Sequence, residues 1–278
     1  MLKIKSYQED AYSFYGDVVS SKRNTSKKPR LKEELEVIGD TQLNCFNLYD
    51  ANFQINSLIN ITPEGYSEIN KENLKALYNY RNKKIQNLKN SLTVHPLYRN
   101  SILNTCQNCT INEVDTMDHV LGQTGFPEFS IHPKNLFPCC SVCNKKKSDN
   151  YVDEEGNQLF LNLYLDDLPQ SQYLHVKFSE NWVPHFFLEK NDDISDELFK
   201  LIENHYTRLD LLNRFRDSSN ETITTLRSTI KTFNTEDIKQ KIDELCLDLE
   251  VSLGHNHRKI VIYRALGSSD EFIDECIR

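Results

Sequence analysis

A chain of 278 residues, 38% hydrophobic and 27% charged, can bury a sizeable core in one large or two ordinary domains and needs no disulfide staples. Its formal charge of -8 and pI near 5.5 exclude a protein that coats DNA by electrostatics alone, because nonspecific duplex affinity comes from neutralising phosphates. The start, MLKIKSYQED, has no apolar signal-peptide core and no window approaches eighteen apolar residues, so the expectation is a cytosolic chain without leader or membrane span.

The first hundred residues read as a helical region. Residues 71 to 100 hold seven basic side chains (Lys71, Lys75, Arg81, Lys83, Lys84, Lys89, Arg99) against Glu72 alone, a net charge of +6. Any polyanion should therefore meet the first half of the chain. From Asn70 to Leu92 the residues Leu74, Leu77, Tyr78, Ile85, Leu88 and Leu92 fall at three- and four-residue steps. That spacing predicts one long amphipathic helix, capped by Asn70 and stopped before Pro96. Its basic outer face is either simply solvated or a nucleic-acid contact.

The middle of the chain carries the chemistry. Five of the eight cysteines lie within 38 residues, as metal ligands cluster and disulfide frameworks do not. Cys106-Gln-Asn-Cys109 and Cys140-Ser-Val-Cys143 are two CxxC knuckles separated by thirty residues. A two-residue spacer lets both sulfurs of a knuckle point at one ion, so four thiolates can surround a structural Zn²⁺ with no open position. Cys139 is a substitute ligand or, preferably, strand packing, and the remaining cysteines are core or surface thiols. Between the knuckles, residues 117 to 121 (MDHVL) read as a short strand that presents neighbouring side chains to opposite faces. A loop with Gly122, Gly125, Pro127, His132 and Pro133 leads to Asn135. Residues 136 to 139 (LFPC) return as a second strand, and a helix begins near Asn144.

Residues 159 to 189 are rich in Leu, Tyr, Phe and Val broken by turn residues, which predicts short strands or hairpins. Helices return after Asn191: 196 to 205, 208 to 215, one opened by Thr235 in which Ile238, Ile242, Leu245, Leu249 and Leu253 share a face until Gly254, and a last one after Ser268 or Ser269. Residues 191 to 278 carry eighteen acids against twelve basic residues and should face solvent or a protein partner.

The order CxxC, Asp118-His119, Asn135-Leu136, CxxC-Asn144 and Lys147 resembles the HNH endonucleases in their zinc-knuckle ββα-metal form, over about residues 103 to 155. The resemblance implies an α+β protein with a zinc-braced ββα nuclease module at 101–155, embedded between a helical region at 1–100 and a mixed strand and helical region at 156–278. It implies that His119 is the general base that activates water, that Asp118 and Asn144 hold a catalytic Mg²⁺ or Mn²⁺, and that Asn135 fixes the loop and orients His119. Asn144 stands where many members have a final His, making this an H-N-N variant; Ser148 stands where some supply a further His ligand. The lysine run Lys145, Lys146 and Lys147 opens the following helix and is either a phosphate contact or a solvated face. His132 could contact substrate or metal.

The stretch is similar to HNH nucleases of bacterial restriction and anti-phage systems, including those paired with an ATPase subunit. The resulting expectation is a DNA endonuclease recruited or restrained by such a partner, which suits the acidic chain. Two alternatives stay open: a non-catalytic zinc module that binds nucleic acid or a protein, and an RNA-directed nuclease.

Overall fold

The computed structural model describes residues 1–26, 28–98, 101–233 and 237–278. It is a mixture of helices and two small antiparallel sheets, as expected for an α+β chain. The three consecutive regions read from sequence regroup into two compact units. One comprises Lys3–Cys106 with Asn112–Asp166, and the other Met1–Leu2, Gln107–Ile111 and Asp167–Arg278.

The first unit begins with α1 (Ala11–Ser21), α2 (Leu31–Val37) and α3 (Gly39–Gln54). The Asp10 carboxylate caps α1 by accepting from Ser13 N at 2.6 Å. Helix α3 buries Gln42, Cys45, Phe46, Tyr49 and Phe53 on one face, and burial of each large aromatic contributes on the order of 2 kcal/mol.

The single helix expected from Asn70 to Leu92 is two helices, α4 (Glu68–Lys75) and α5 (Lys83–Leu92). Ser67, not Asn70, caps the first. Asparagine side chains make the break: Asn79 Oδ1 accepts from Arg81 N at 2.9 Å and Asn82 Oδ1 from Lys84 N at 2.8 Å. These local bonds compete with helix continuation, and Asn82 starts α5 as its cap. On the basic face Lys71, Lys75 and Lys84 pair with Glu68, Glu72 and Asp17. Arg99 lies outside the described residues.

Strands β1 (Thr116–His119) and β2 (Leu136–Cys139) pair antiparallel, Thr116 opposite Cys139 and His119 opposite Leu136. Helix α6 (Ser141–Lys147) follows at once, three residues earlier than Asn144. Asp115 fixes its start, accepting from Ser141 N at 2.5 Å and from Ser141 Oγ at 2.8 Å. The unit ends on an irregular segment where strand was expected, because Asp166 Oδ2 accepts from Asn162 N at 2.7 Å and turns the chain.

In the second unit β3 (Leu174–Phe178) and β4 (Pro184–Leu188) form the expected antiparallel hairpin. Around it lie α7 (Asp196–Arg208), α8 (Leu211–Asp217), α9 (Asn220–Ile230), α10 (Ile238–Leu253), α11 (Arg258–Gly267) and α12 (Asp270–Ile277). Helix α8 packs on β4 and α11 on β3. Sequence periodicity missed α9 and α11. Along α10 the buried line is Ile238, Ile242, Cys246 and Glu250, with Leu245, Leu249 and Leu253 at its half-buried margin. Gly254, at φ 85°, ends that helix as expected, while the expected opening residue Thr235 lies outside the described residues. No helix among the described residues is long and apolar enough to cross a membrane.

Candidate functional site

Cys106, Cys109, Cys140 and Cys143 are all buried and their sulfurs lie within 4.8 Å of one another. With Zn–S bonds of about 2.3 Å a tetrahedral site has sulfurs roughly 3.8 Å apart, so the donor set fits one zinc ion. The local fold explains the convergence. An isolated bridge between Thr105 and Glu113 and a bond from Cys106 N to Asn112 O at 2.8 Å close the first knuckle, and Thr110 turns it in the left-handed region at φ 52°. The second knuckle is the first turn of α6, where Cys140 is the N-cap and its sulfur accepts from Cys143 N at 3.4 Å and from Asn112 Nδ2 at 3.7 Å. Such N–H···S bonds stabilise thiolate charge. Cys139 stays outside the cluster, buried on β2.

On β1 the side chains alternate. Thr116 and Asp118 meet α6: Asn144 Nδ2 donates to Thr116 Oγ1 at 3.2 Å, and one helical turn later Lys147 Nζ stands 3.3 Å from Asp118 Oδ2 and 3.4 Å from Oδ1. Lys147 Nζ also donates to His119 O at 2.6 Å. Both side chains of the pair are 6% exposed. Burial raises the Asp118 carboxyl above the usual range, and Lys147 opposes that rise. The expectation of three phosphate-facing lysines is thereby corrected. Lys145 and Lys146 are exposed, whereas Lys147 turns inward because an otherwise uncompensated carboxylate lies beneath the helix.

His119 is 9% exposed. Its Nε2 lies 2.8 Å from Ser130 O, an oxygen that can only accept, so Nε2 carries the ring hydrogen and Nδ1 keeps a lone pair. The amide terminus of Gln123 sits 2.7 Å from the same Nε2, where its oxygen can share that hydrogen. Tyr78 packs edge-on at 4.7 Å, its hydroxyl donating to Met117 O at 3.0 Å. Burial lowers the His119 pKa to about 4, so the ring is neutral at pH 7.

Asn135 is fully buried and fully bonded. Oδ1 accepts from Leu121 N at 2.7 Å and Tyr49 Oη at 3.2 Å, while Nδ2 donates to Leu121 O at 3.1 Å and Phe129 O at 3.0 Å. It closes the loop between the strands and makes no direct bond to His119; its influence runs through the loop carbonyl of Ser130, next to Phe129. His132 is also fully buried, with ring centroids 4.5 Å from Phe46 and 4.1 Å from Tyr49, which makes it core and removes it as a substrate contact.

Asp118 and Asn144 do not present an open divalent site as they stand: the first is occupied by an ammonium, the second bonded to Thr116. Among the described residues the four cysteines are the metal-compatible cluster of His, Cys, Asp or Glu ligands. Sequence reasoning missed Gln123, Tyr78 and the inward role of Lys147. For Lys147 a signal existed, since Asn144 and Lys147 are three apart on a helix and share a face. Tyr78 carried none, being 41 residues from His119.

No family model matches the sequence, and no solved structure matches the fold. The chain is 26% identical over 193 residues to Protein ea31 of Escherichia phage lambda, an alignment that takes in 60% of this chain and 62% of that protein's length.

Proposed function

We propose that this chain is a metal-dependent HNH endonuclease that hydrolyses phosphodiester bonds in DNA, the nuclease effector of a bacterial restriction or anti-phage system, acting with an ATPase or other partner subunit. The observation that carries the reading is one juxtaposition: an antiparallel hairpin and a following helix, tied at one end by four convergent cysteines, with Asp118 and His119 on the strand and Asn144 on the helix. Zinc holds that scaffold in this reading and takes no part in the reaction.

His119 is the general base. Its neutral ring offers Nδ1 to a water proton, while Nε2–H stays on Ser130 O and fixes the tautomer. Gln123 covers the edge of the ring, and its displacement is the access step. Asp118 and Asn144 would hold a Mg²⁺ or Mn²⁺ ion, which supplies charge stabilisation at the phosphate when bound. Their present partners are Lys147 and Thr116, so no step is drawn through the ion. Lys145 and Lys146 face solvent, where phosphates pass.

The competing reading, a non-catalytic zinc module, draws on the burial of His119 and the neutralised Asp118. Matched DNA and RNA duplexes incubated with the purified chain and Mn²⁺, beside Asp118→Asn, separate the cases. The proposal expects DNA cleavage that Asp118→Asn lowers by about a hundredfold or more, a loss of transition-state charge stabilisation. Cleavage of RNA alone, or cleavage indifferent to Asp118, contradicts it.

A further inference from the structure

We infer that Lys147 is the resident cation of the Asp118 carboxylate and that a divalent ion enters this site only by displacing it. The inference rests on the nuclease reading for the identity of the site, but its geometry is independent of it. The Lys147 ammonium stands nearly equidistant from the two carboxylate oxygens, 3.3 and 3.4 Å away, with a third acceptor, His119 O, at 2.6 Å. The Phe160 ring lies 5.9 Å from the same nitrogen, adding a weakly attractive aromatic face. The ammonium thus has two oxygen-bearing groups from one strand and sits astride the carboxylate, where an ion binding both oxygens would sit.

A magnesium ion needs its oxygens at about 2.0–2.1 Å and tolerates little distortion of an octahedron. An ammonium held against the same carboxylate repels a doubly charged ion and blocks its approach, and with Asp118 buried there is little water to screen them. Occupancy by Lys147 and by the ion are therefore mutually exclusive. Lys147 is the last residue of α6, and Ser148 after it leaves the helix at φ 53°. A long flexible stem at a helix end can swing outward toward its exposed neighbours Lys145, Lys146 and Asp149 without unwinding the helix. The closed state protects a buried carboxylate when no divalent ion is present, and the open state exposes it to one.

Energetically this is a competition, and the apparent affinity for the ion is reduced by the fraction of molecules in which Lys147 has left. The same exchange gives the partner subunit a handle: whatever holds Lys147 outward, a phosphate of bound DNA among the candidates, makes the ion bind more tightly.

The test measures Mn²⁺ binding to the zinc-loaded full chain by electron paramagnetic resonance of the free ion, with no cleavage readout. Wild type, Lys147→Met, Lys147→Gln and Lys147→Arg are compared, each also carrying Asp118→Asn. Met and Gln remove the competing charge and should tighten Mn²⁺ binding by about tenfold or more, Arg should leave it near wild type, and Asp118→Asn should abolish the difference. Using both Met and Gln keeps the test valid if one variant folds poorly. Equal affinity in wild type and Lys147→Gln, tighter binding in Lys147→Arg, or no Mn²⁺ binding at Asp118 in any variant overturns the inference. A chain that shows the affinity pattern yet cuts no nucleic acid defeats the nuclease reading and leaves the exchange standing.

Discussion

The side chains of the hairpin show how one residue type takes opposite roles by environment. His119 and His132 lie in the same segment and both are neutral, but His132 is sealed between Phe46 and Tyr49, whereas His119 stands on β1 beside Asp118. Sequence spacing distinguished them only through the Asp-His pair. Burial lowers the His132 pKa well below 6.5. A folded-state value below the unfolded one contributes stability that is fully present above about pH 6.5 and lost as the pH falls below it, because the unfolded chain takes up the proton first. The expected outcome is that His132→Gln flattens the fall of unfolding free energy below pH 6 by up to about 1.4 kcal/mol per pH unit, read from urea denaturation at several pH values. An unchanged slope would mean that His132 is protonated or solvated in the folded chain. Asp118 and Lys147 are the opposite case: each residue was legible, but their pairing was not, since it depends on helix α6 lying across β1.

Local chemistry decided where the elements were misread. The long helix over residues 70 to 92 has the right apolar spacing, and that spacing cannot register that Asn79 and Asn82 bond their own backbone neighbours instead. Hairpin β1–β2 and its helix were legible because alternation, a Gly-rich loop and the Cys140 cap all agree. The loop between the strands presses on the segment that follows α6. A Cβ added at Gly122 would lie 2.8 Å from Asp149 Cα and 2.5 Å from Asp149 Oδ1, while one at Gly125 would meet only Gly122 O at 4.0 Å. Thr124 Oγ1 donates to the same Asp149 carboxylate. Gly122→Ala should therefore lower stability by about 1–3 kcal/mol and Gly125→Ala by a small fraction of that, as shifts in urea midpoint at constant slope. Equal midpoints for the two variants would show that the loop does not lie against Asp149.

For the whole molecule, composition bounded the answer more than it located it. A net charge of -8 spread unevenly, with +6 over residues 71–100 and -6 over 191–278, was visible in the sequence. The regrouping into two units was not, because the knuckle loop Gln107–Ile111 and the first two residues join the C-terminal half by contacts that leave no periodic trace. Leu2 N donates to Gln107 Oε1 at 2.7 Å, and His205 Nε2 to Asn108 O at 3.0 Å, both between residues about a hundred apart in the chain. The four-cysteine cluster was legible for the converse reason, as a two-residue spacer is itself the geometric signal. The central claim is a division of labour in which zinc builds the scaffold and His119 performs the chemistry. Relaxation of supercoiled plasmid by the full chain and by His119→Ala, both with zinc measured in the same samples, tests it most directly. The account predicts one zinc per chain in both proteins and a nicking rate in His119→Ala lower by about a hundredfold or more, the loss of a general base. Nicking at the wild-type rate by a zinc-loaded His119→Ala protein would contradict it.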